Sequence, residues 1–244
     1  MAEVTAIAWT DSTFNPWWGC TKVAPGCDNC YAAALDRRTG GDHWGDAGPR
    51  AMSIQNWKKP LRWNREAEAA GVRRRVFCGS MCDWTDKNAP EGQLERLWVL
   101  IRETPWLDWQ LLTKRAPNIE RSLPPDWGNG YSNVWLGVTV ENREHGLPRI
   151  DRLRRIPAAV RFLSVEPLLE DLGDLDLDKI HWVIVGGESG ACARPMEHAW
   201  AERVIAQARE QGASVFFKQW GGRRSDKGGC AIGGVEFKEF PVAA

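Results

Sequence analysis

At 244 residues the chain has the length of one large α/β domain, with enough material for a substantial core and no need of disulfides. Lys plus Arg equals Asp plus Glu, at 32 each, so no whole-molecule field draws it to nucleic acid or to an anionic membrane. The start, Met1-Ala2-Glu3-Val4-Thr5, lacks the basic and apolar parts of a signal peptide, and no run of about 18 apolar residues occurs, which implies a cytoplasmic protein with no membrane partner.

In chain order, a short strand is expected around Ala6 to Trp9, followed by a loop that carries Cys20, Cys27 and Cys30 and by a helix beginning near Asn29. Apolar, β-branched runs then read as buried parallel strands at Arg75 to Cys78, Trp109 to Thr113, Asn133 to Val140, Val160 to Val165, His181 to Val185 and Ser214 to Phe217. Helical patterns fall between them at Glu91 to Glu103, Glu141 to Arg155 and Glu197 to Gln211. Gly146 and Pro148 interrupt the second of these, so its later half, Arg149 to Ile156, is the firmer part. The alternation predicts an α/β fold, a full or partial parallel (β/α) barrel of TIM type, over residues 1–222. A doubly wound open sheet is the alternative. Residues 223–244, Gly-rich at first and then alternating from Val235 to Phe240, read as a C-terminal tail or hairpin.

The cysteines form a C-x6-C-x2-C motif beside Gly19, Pro25 and Gly26, and in a reducing compartment such spacing points to metal or redox chemistry. Loop glycines let backbone wrap a compact inorganic centre, and a following helix start offers amide donors to thiolates. Three readings stay open on the residues alone: cysteines packed as small hydrophobes, a zinc site completed by Cys78, Cys82 or His43, and a 4Fe-4S cluster whose last iron takes an outside ligand.

Polar groups end almost every expected strand: Ser80 and Asp83, Lys114, Thr139 and Glu141, Ser164 and Glu166, Glu188, then Lys218 and Gln219. In a parallel barrel the C-terminal strand ends share one face, and reactive groups there converge. Gly186 and Gly187 permit close backbone approach to a ligand, and Glu188 suits an amino group or a hydroxyl. Lys114 and Lys218 suit a carboxylate or phosphate, while Thr139 and Ser164 are neutral partners. Lys114, Glu166 and Lys218 are the catalytic candidates. Ser80, Asp83, Thr139, Glu141, Ser164, Gly186, Gly187 and Glu188 are the cofactor-binding candidates. Among 15 tryptophans, Trp98 and Trp182 read as packing, whereas Trp17, Trp18, Trp84 and Trp220 flank the cysteine loop or a strand end, where a ring can wall a pocket. The arginine clusters Arg73-Arg74-Arg75 and Arg149 to Arg155 read as solvated helix faces, with a local basic patch as the alternative.

The runs Trp9-Thr10-Asp11 to Asn15-Pro16, Gly19-Cys20 to Cys30-Tyr31, Leu112-Thr113-Lys114-Arg115, Val134 to Val138, Phe162 to Leu168, Val183 to Gly190 and Phe217 to Gly222 resemble the phage-associated three-cysteine-motif family. Members of that family are in turn similar to radical S-adenosylmethionine enzymes. The resemblance implies three cysteines on a 4Fe-4S cluster, S-adenosyl-L-methionine chelating the open iron, a reductant, and a 5'-deoxyadenosyl radical acting on a nucleotide, nucleic acid or related metabolite. It leaves a protein partner open. The chain departs from the usual radical-enzyme pattern in two places: the first cysteine gap is six residues rather than three, and Gly186-Gly187-Glu188 follows a late strand rather than the second. Two readings compete with it. One is a zinc-stabilised module that binds nucleic acid or protein without turnover; the other is a metal-independent barrel hydrolase using Glu166 and Glu188 as a carboxylate pair.

Overall fold

The computed structural model describes residues 5–51 and 57–241. The start at 1–4 and the last residues of the expected tail, 242–244, lie outside the described residues. The elements in order are β1 (Ser12–Phe14), α1 (Tyr31–Arg38), α2 (Lys58–Ala70), β2 (Arg74–Cys78), α3 (Gln93–Glu103), β3 (Leu107–Thr113), α4 (Ile119–Ser122), β4 (Val134–Thr139), α5 (Arg143–Arg155), β5 (Val160–Val165), β6 (Trp182–Gly186), α6 (His198–Glu210), β7 (Ser214–Gln219) and a hairpin of β8 (Ala231–Ile232) and β9 (Val235–Glu236). The seven main strands are ordered β1 to β7 in sequence, so the order never reverses as a doubly wound sheet requires. The fold is α/β, with the sequential parallel strand order of a partial TIM-like barrel. No described helix is long and apolar enough to cross a membrane.

Two compact units divide the chain: residues 1–22, 32–136 and 157–159 form the first, and 23–31, 137–156 and 160–244 the second. Cys20 belongs to the first unit, Cys27 and Cys30 to the second.

In the first unit, β1 pairs with β2 from Ser12↔Val76 to Phe14↔Cys78, and β2 pairs with β3 along its whole length. The first strand lies later than the apolar run at Ala6 to Trp9 suggests. Thr10 N–H turns back to the Ile7 carbonyl, and the Asp11 carboxylate accepts the Arg75 N–H that a strand at that point would have used. Trp9 serves instead as a packing group, its ring 4.6 Å from that of Phe77. The core gathers aromatic edges, with Phe14 edge-on to Trp57 at 5.1 Å and to Trp109 at 5.6 Å. Helix α2, which no apolar run announces, buries Pro60, Trp63, Asn64 and Ala67, one helical face, and ends at Gly71 in the left-handed conformation.

In the second unit, β5, β6 and β7 pair in parallel. Trp182, fully buried, has Phe162 at 5.7 Å and Phe216 at 6.3 Å. Helix α5 runs unbroken through Gly146 and Pro148. Its Asn142 cap accepts the His145 N–H at 3.0 Å, and a Cβ on Gly146 would lie 2.6 Å from Val140 Cγ1, so a bare residue is what lets the helix seat there.

His181, just before β6, accepts the Arg161 backbone N–H on Nδ1 at 2.9 Å, which requires a neutral ring. Burial, with help from the Arg161 charge, lowers its pKa. A histidine with a depressed folded pKa contributes stability above its unfolded value of about 6.5 and loses it as the pH falls through that region. The chain is therefore expected to lose urea resistance as the pH falls from about 7.5 to about 5.5, and His181→Gln to flatten that slope; an unchanged slope in the variant would remove His181 as the cause.

Candidate functional site

In the first unit the loop around Cys20 is tied down by two buried arginines. Gly19 enters it at φ +112°, where a Cβ would stand 2.3 Å from the His43 carbonyl oxygen, so only glycine carries the chain through. Its N–H bonds the Met81 carbonyl at 2.9 Å, and Gly19 bridges Cys82 in parallel fashion. Arg115, directly after Lys114 at the end of β3, donates to Cys20 Sγ at 3.4 and 3.5 Å, to the Thr21 carbonyl at 2.7 Å and to Asp83 Oδ2 at 2.8 Å. Asp83 also receives the Thr85 N–H, the Thr85 and Thr113 hydroxyls and the Lys114 N–H, so five protein donors converge on one carboxylate. Arg50 mirrors this arrangement: it donates to Asp86 Oδ2 at 2.8 and 3.0 Å, to Thr21 Oγ1 and to the carbonyls of His43, Gly45 and Gly48. Ser80 pairs with Asn15 at 2.9 Å. His43, a candidate zinc ligand on sequence, has Nδ1 at 2.7 Å from Asp36 Oδ1.

Burial and the Asp83 carboxylate push the Cys20 thiol up to about 11, against the pull of Arg115. Burial also raises Cys78 and Cys82. Trp17 and Trp84 are fully buried, Trp84 edge-on to Trp98, so both rings are packed rather than presented as pocket walls.

In the second unit Cys27 closes a short 3₁₀ turn, Pro25–Cys27, and Cys30 immediately precedes α1. A clasp holds this segment. Glu188, after β6, accepts Asn29 Nδ2 at 2.9 Å and three donors of Arg194, while Arg194 Nη2 donates on to the Pro25 carbonyl at 2.9 Å. Burial pushes the Glu188 carboxyl up, but the hydrogen bonds from Arg194 and Asn29 together outweigh it and hold the group below its usual range.

Glu141 is fully buried beside the same segment: a Cβ on Gly26 would lie 3.1 Å from its Cγ. Arg149 donates to Glu141 Oε2 and, at 2.8 Å, to the Thr139 carbonyl, but Oε1 has no hydrogen-bond partner among the described residues. An orphaned buried acceptor of this kind calls for a donor from outside the protein. The Ser164 carbonyl accepts the Val140 N–H at 2.9 Å. At the ends of β5 and β7, Lys218 Nζ and Gln219 Nε2 both donate to Glu166 Oε1, at 2.6 and 2.8 Å. Gly186 ends β6, which lies between β5 and β7 in the sheet order, and Gly187 follows it.

Glu166 and Lys218 are thus brought together, and Lys114 lies in the other unit, in the strand-end turn that holds Asp83. The arginines Arg50, Arg115, Arg149 and Arg194 are the residues that a sequence reading misses. Only Arg115 gives a signal, through its place beside Lys114 at a strand end. Among the described residues no group of three or more His, Cys, Asp or Glu side chains is gathered closely enough to hold a metal ion.

A family profile described as "Protein of unknown function (DUF5131)" matches residues 4–241. The chain belongs to the DUF5131 family. No curated protein and no solved structure matches the chain. Membership reaches from the cysteine loop through every strand end described above, and so covers both units.

Proposed function

We propose that this DUF5131 chain is a cytoplasmic radical S-adenosylmethionine-type enzyme that holds a 4Fe-4S cluster on Cys20, Cys27 and Cys30 and acts on a nucleotide, nucleic acid or related metabolite. The observation that carries the reading is the cysteine motif itself: three free thiols, none fully buried, in the loop that follows the first of seven sequentially ordered parallel strands. The donor set fits such a cluster in kind, because thiolates are its ordinary ligands and the Arg115 guanidinium already donates to the Cys20 sulfur. When bound, the cluster supplies the electron that cleaves S-adenosylmethionine to methionine and a 5'-deoxyadenosyl radical.

The chain's own residues bind and orient. Arg115 steadies negative charge at Cys20 while Arg50 fixes the loop behind it. The Glu188–Arg194 pair holds Pro25 and Asn29 and so sets the path of the backbone bearing Cys27 and Cys30. Glu141 Oε1, buried and lacking a donor among the described residues, is assigned to an amino or hydroxyl group of the bound cofactor.

Anaerobic reconstitution with iron and sulfide is expected to give a brown protein that releases 5'-deoxyadenosine when reduced in the presence of S-adenosylmethionine. A colourless protein after that treatment rejects the proposal, and one tightly held zinc selects the binding module instead.

A further inference from the structure

The end of β7 is irregular. β6 and β7 stay in register through Val185↔Phe217, and the next pair is Gly186↔Gln219, so Lys218 is the extra residue of a bulge. Adjacent side chains in a regular strand point to opposite faces of the sheet. Across this bulge Lys218 and Gln219 instead reach the same atom, Glu166 Oε1. Gln219 is buried and gives its second amide hydrogen to the Gly187 carbonyl at 3.1 Å, so both of its donors are engaged and it braces the carboxylate. Glu166 and Lys218 remain reachable, with side chains 17% and 16% exposed. Among the described residues Lys218 Nζ makes this one contact and Glu166 Oε2 makes none.

The pair is neutral as a unit. A phosphate or carboxylate approaching Lys218 meets the charge of Glu166, and an ammonium approaching Glu166 meets Lys218. What the pair offers is an acceptor, Oε2, beside a donor, Nζ. Its complement is a neutral group with an N–H next to a C=O on the same side. A trans peptide bond holds those two groups on opposite sides, whereas a ring lactam, being a cis amide, presents them together.

We propose that Glu166 and Lys218 recognise the lactam edge of a neutral nucleobase of the uracil or hypoxanthine type, with Gln219 as the positioning residue. This deepens the nucleotide substrate class proposed above and replaces the phosphate role that Lys218 suggests on sequence.

The test is ligand-observed saturation-transfer NMR on the full chain with uridine, inosine, N3-methyluridine, N1-methylinosine and ribose. Uridine or inosine is expected to bind, its N-methylated partner at least about tenfold more weakly because the donor is lost, and ribose not at all. Lys218→Met and Glu166→Gln, checked for native circular dichroism, are expected to weaken binding by a similar factor. No binding of either nucleoside up to about 10 mM, equal binding after methylation, or binding of ribose alone overturns the proposal. The methylation comparison uses the unaltered protein, so it decides the matter even where a variant fails to fold. Binding needs no cluster: a chain that makes 5'-deoxyadenosine yet binds neither nucleoside sinks only this inference, and a colourless chain that binds them sinks only the radical reading.

Discussion

Replacing Arg115 by Met is expected to destabilise the chain by about 3–5 kcal/mol in urea unfolding, among the largest effects of any single polar substitution in the first unit. The cost comes less from the lost attraction than from what stays behind. The side chains of Arg115 and Asp83 are 9% and 8% exposed, and without the guanidinium the Asp83 carboxyl group is left in a buried site with only neutral donors. Asp86, whose side chain is fully buried, loses a second cation at 3.9 Å at the same time. The double variant Asp83→Asn/Arg115→Met separates the two contributions: with the orphaned carboxyl group removed, its loss is expected to fall short of the sum of the single losses by about 2 kcal/mol. Arg115→Lys is not a neutral exchange, since one ammonium cannot span Asp83, the Thr21 carbonyl and Cys20 as the planar fork does. A loss below about 1 kcal/mol in Arg115→Met would show that the network does not hold the Cys20 loop.

Gly186, the last residue of β6, and Gly187, which follows it, are expected to respond very differently to the same added methyl. At Gly187 a Cβ would lie 1.8 Å from the Trp220 carbonyl oxygen and 2.7 Å from its carbon, and these backbone atoms have no rotamer by which to yield. Gly187→Ala must therefore displace the Trp220 strand exit, breaking the Gly187 N–H to Gln219 carbonyl bond of 2.9 Å, and is expected to cost about 3 kcal/mol. At Gly186 the nearest atoms to a Cβ are side-chain atoms of Glu166 and Gln219 at 3.4–3.5 Å, which is ordinary contact. Gly186→Ala is accordingly expected to stay within about 1 kcal/mol of the parent. The pair can be read from two thermal melts. Equal losses would mean that the close approach at Gly187 is not a real constraint.

Much of this fold is legible in the sequence because buried parallel strands leave continuous β-branched runs; Val160 to Val165 is read and observed with the same limits. Several elements escape, α4 among them, and for β1 and α2 the reason is identifiable. β1 is three residues long and its apolar neighbour Trp9 packs without pairing. α2 carries its core face on Pro60, Trp63, Asn64 and Ala67, only two of which look apolar and helical in isolation.

The site divides along similar lines. Cysteine spacing is visible in one dimension, whereas the pairing of carboxylates with distant arginines is not. Arg149 sits in a cluster that composition assigns to a solvated face, yet it is buried against Glu141. Arg73, Arg74 and Arg75 pair with Asp108, Glu66 and Asp11 in turn, two of which lie far away in sequence. The bulge at Lys218 has no sequence signature, since one inserted residue leaves the hydrophobic pattern of Ser214 to Phe217 unchanged.

What the three cysteines hold is read most directly from the iron, acid-labile sulfide and zinc content of the reconstituted chain beside its Cys20→Ala/Cys27→Ala/Cys30→Ala variant. A 4Fe-4S centre on these thiols gives about four iron and four sulfide per native chain and none in the variant. One zinc and no sulfide in the native chain, or equal iron in both proteins, would contradict it.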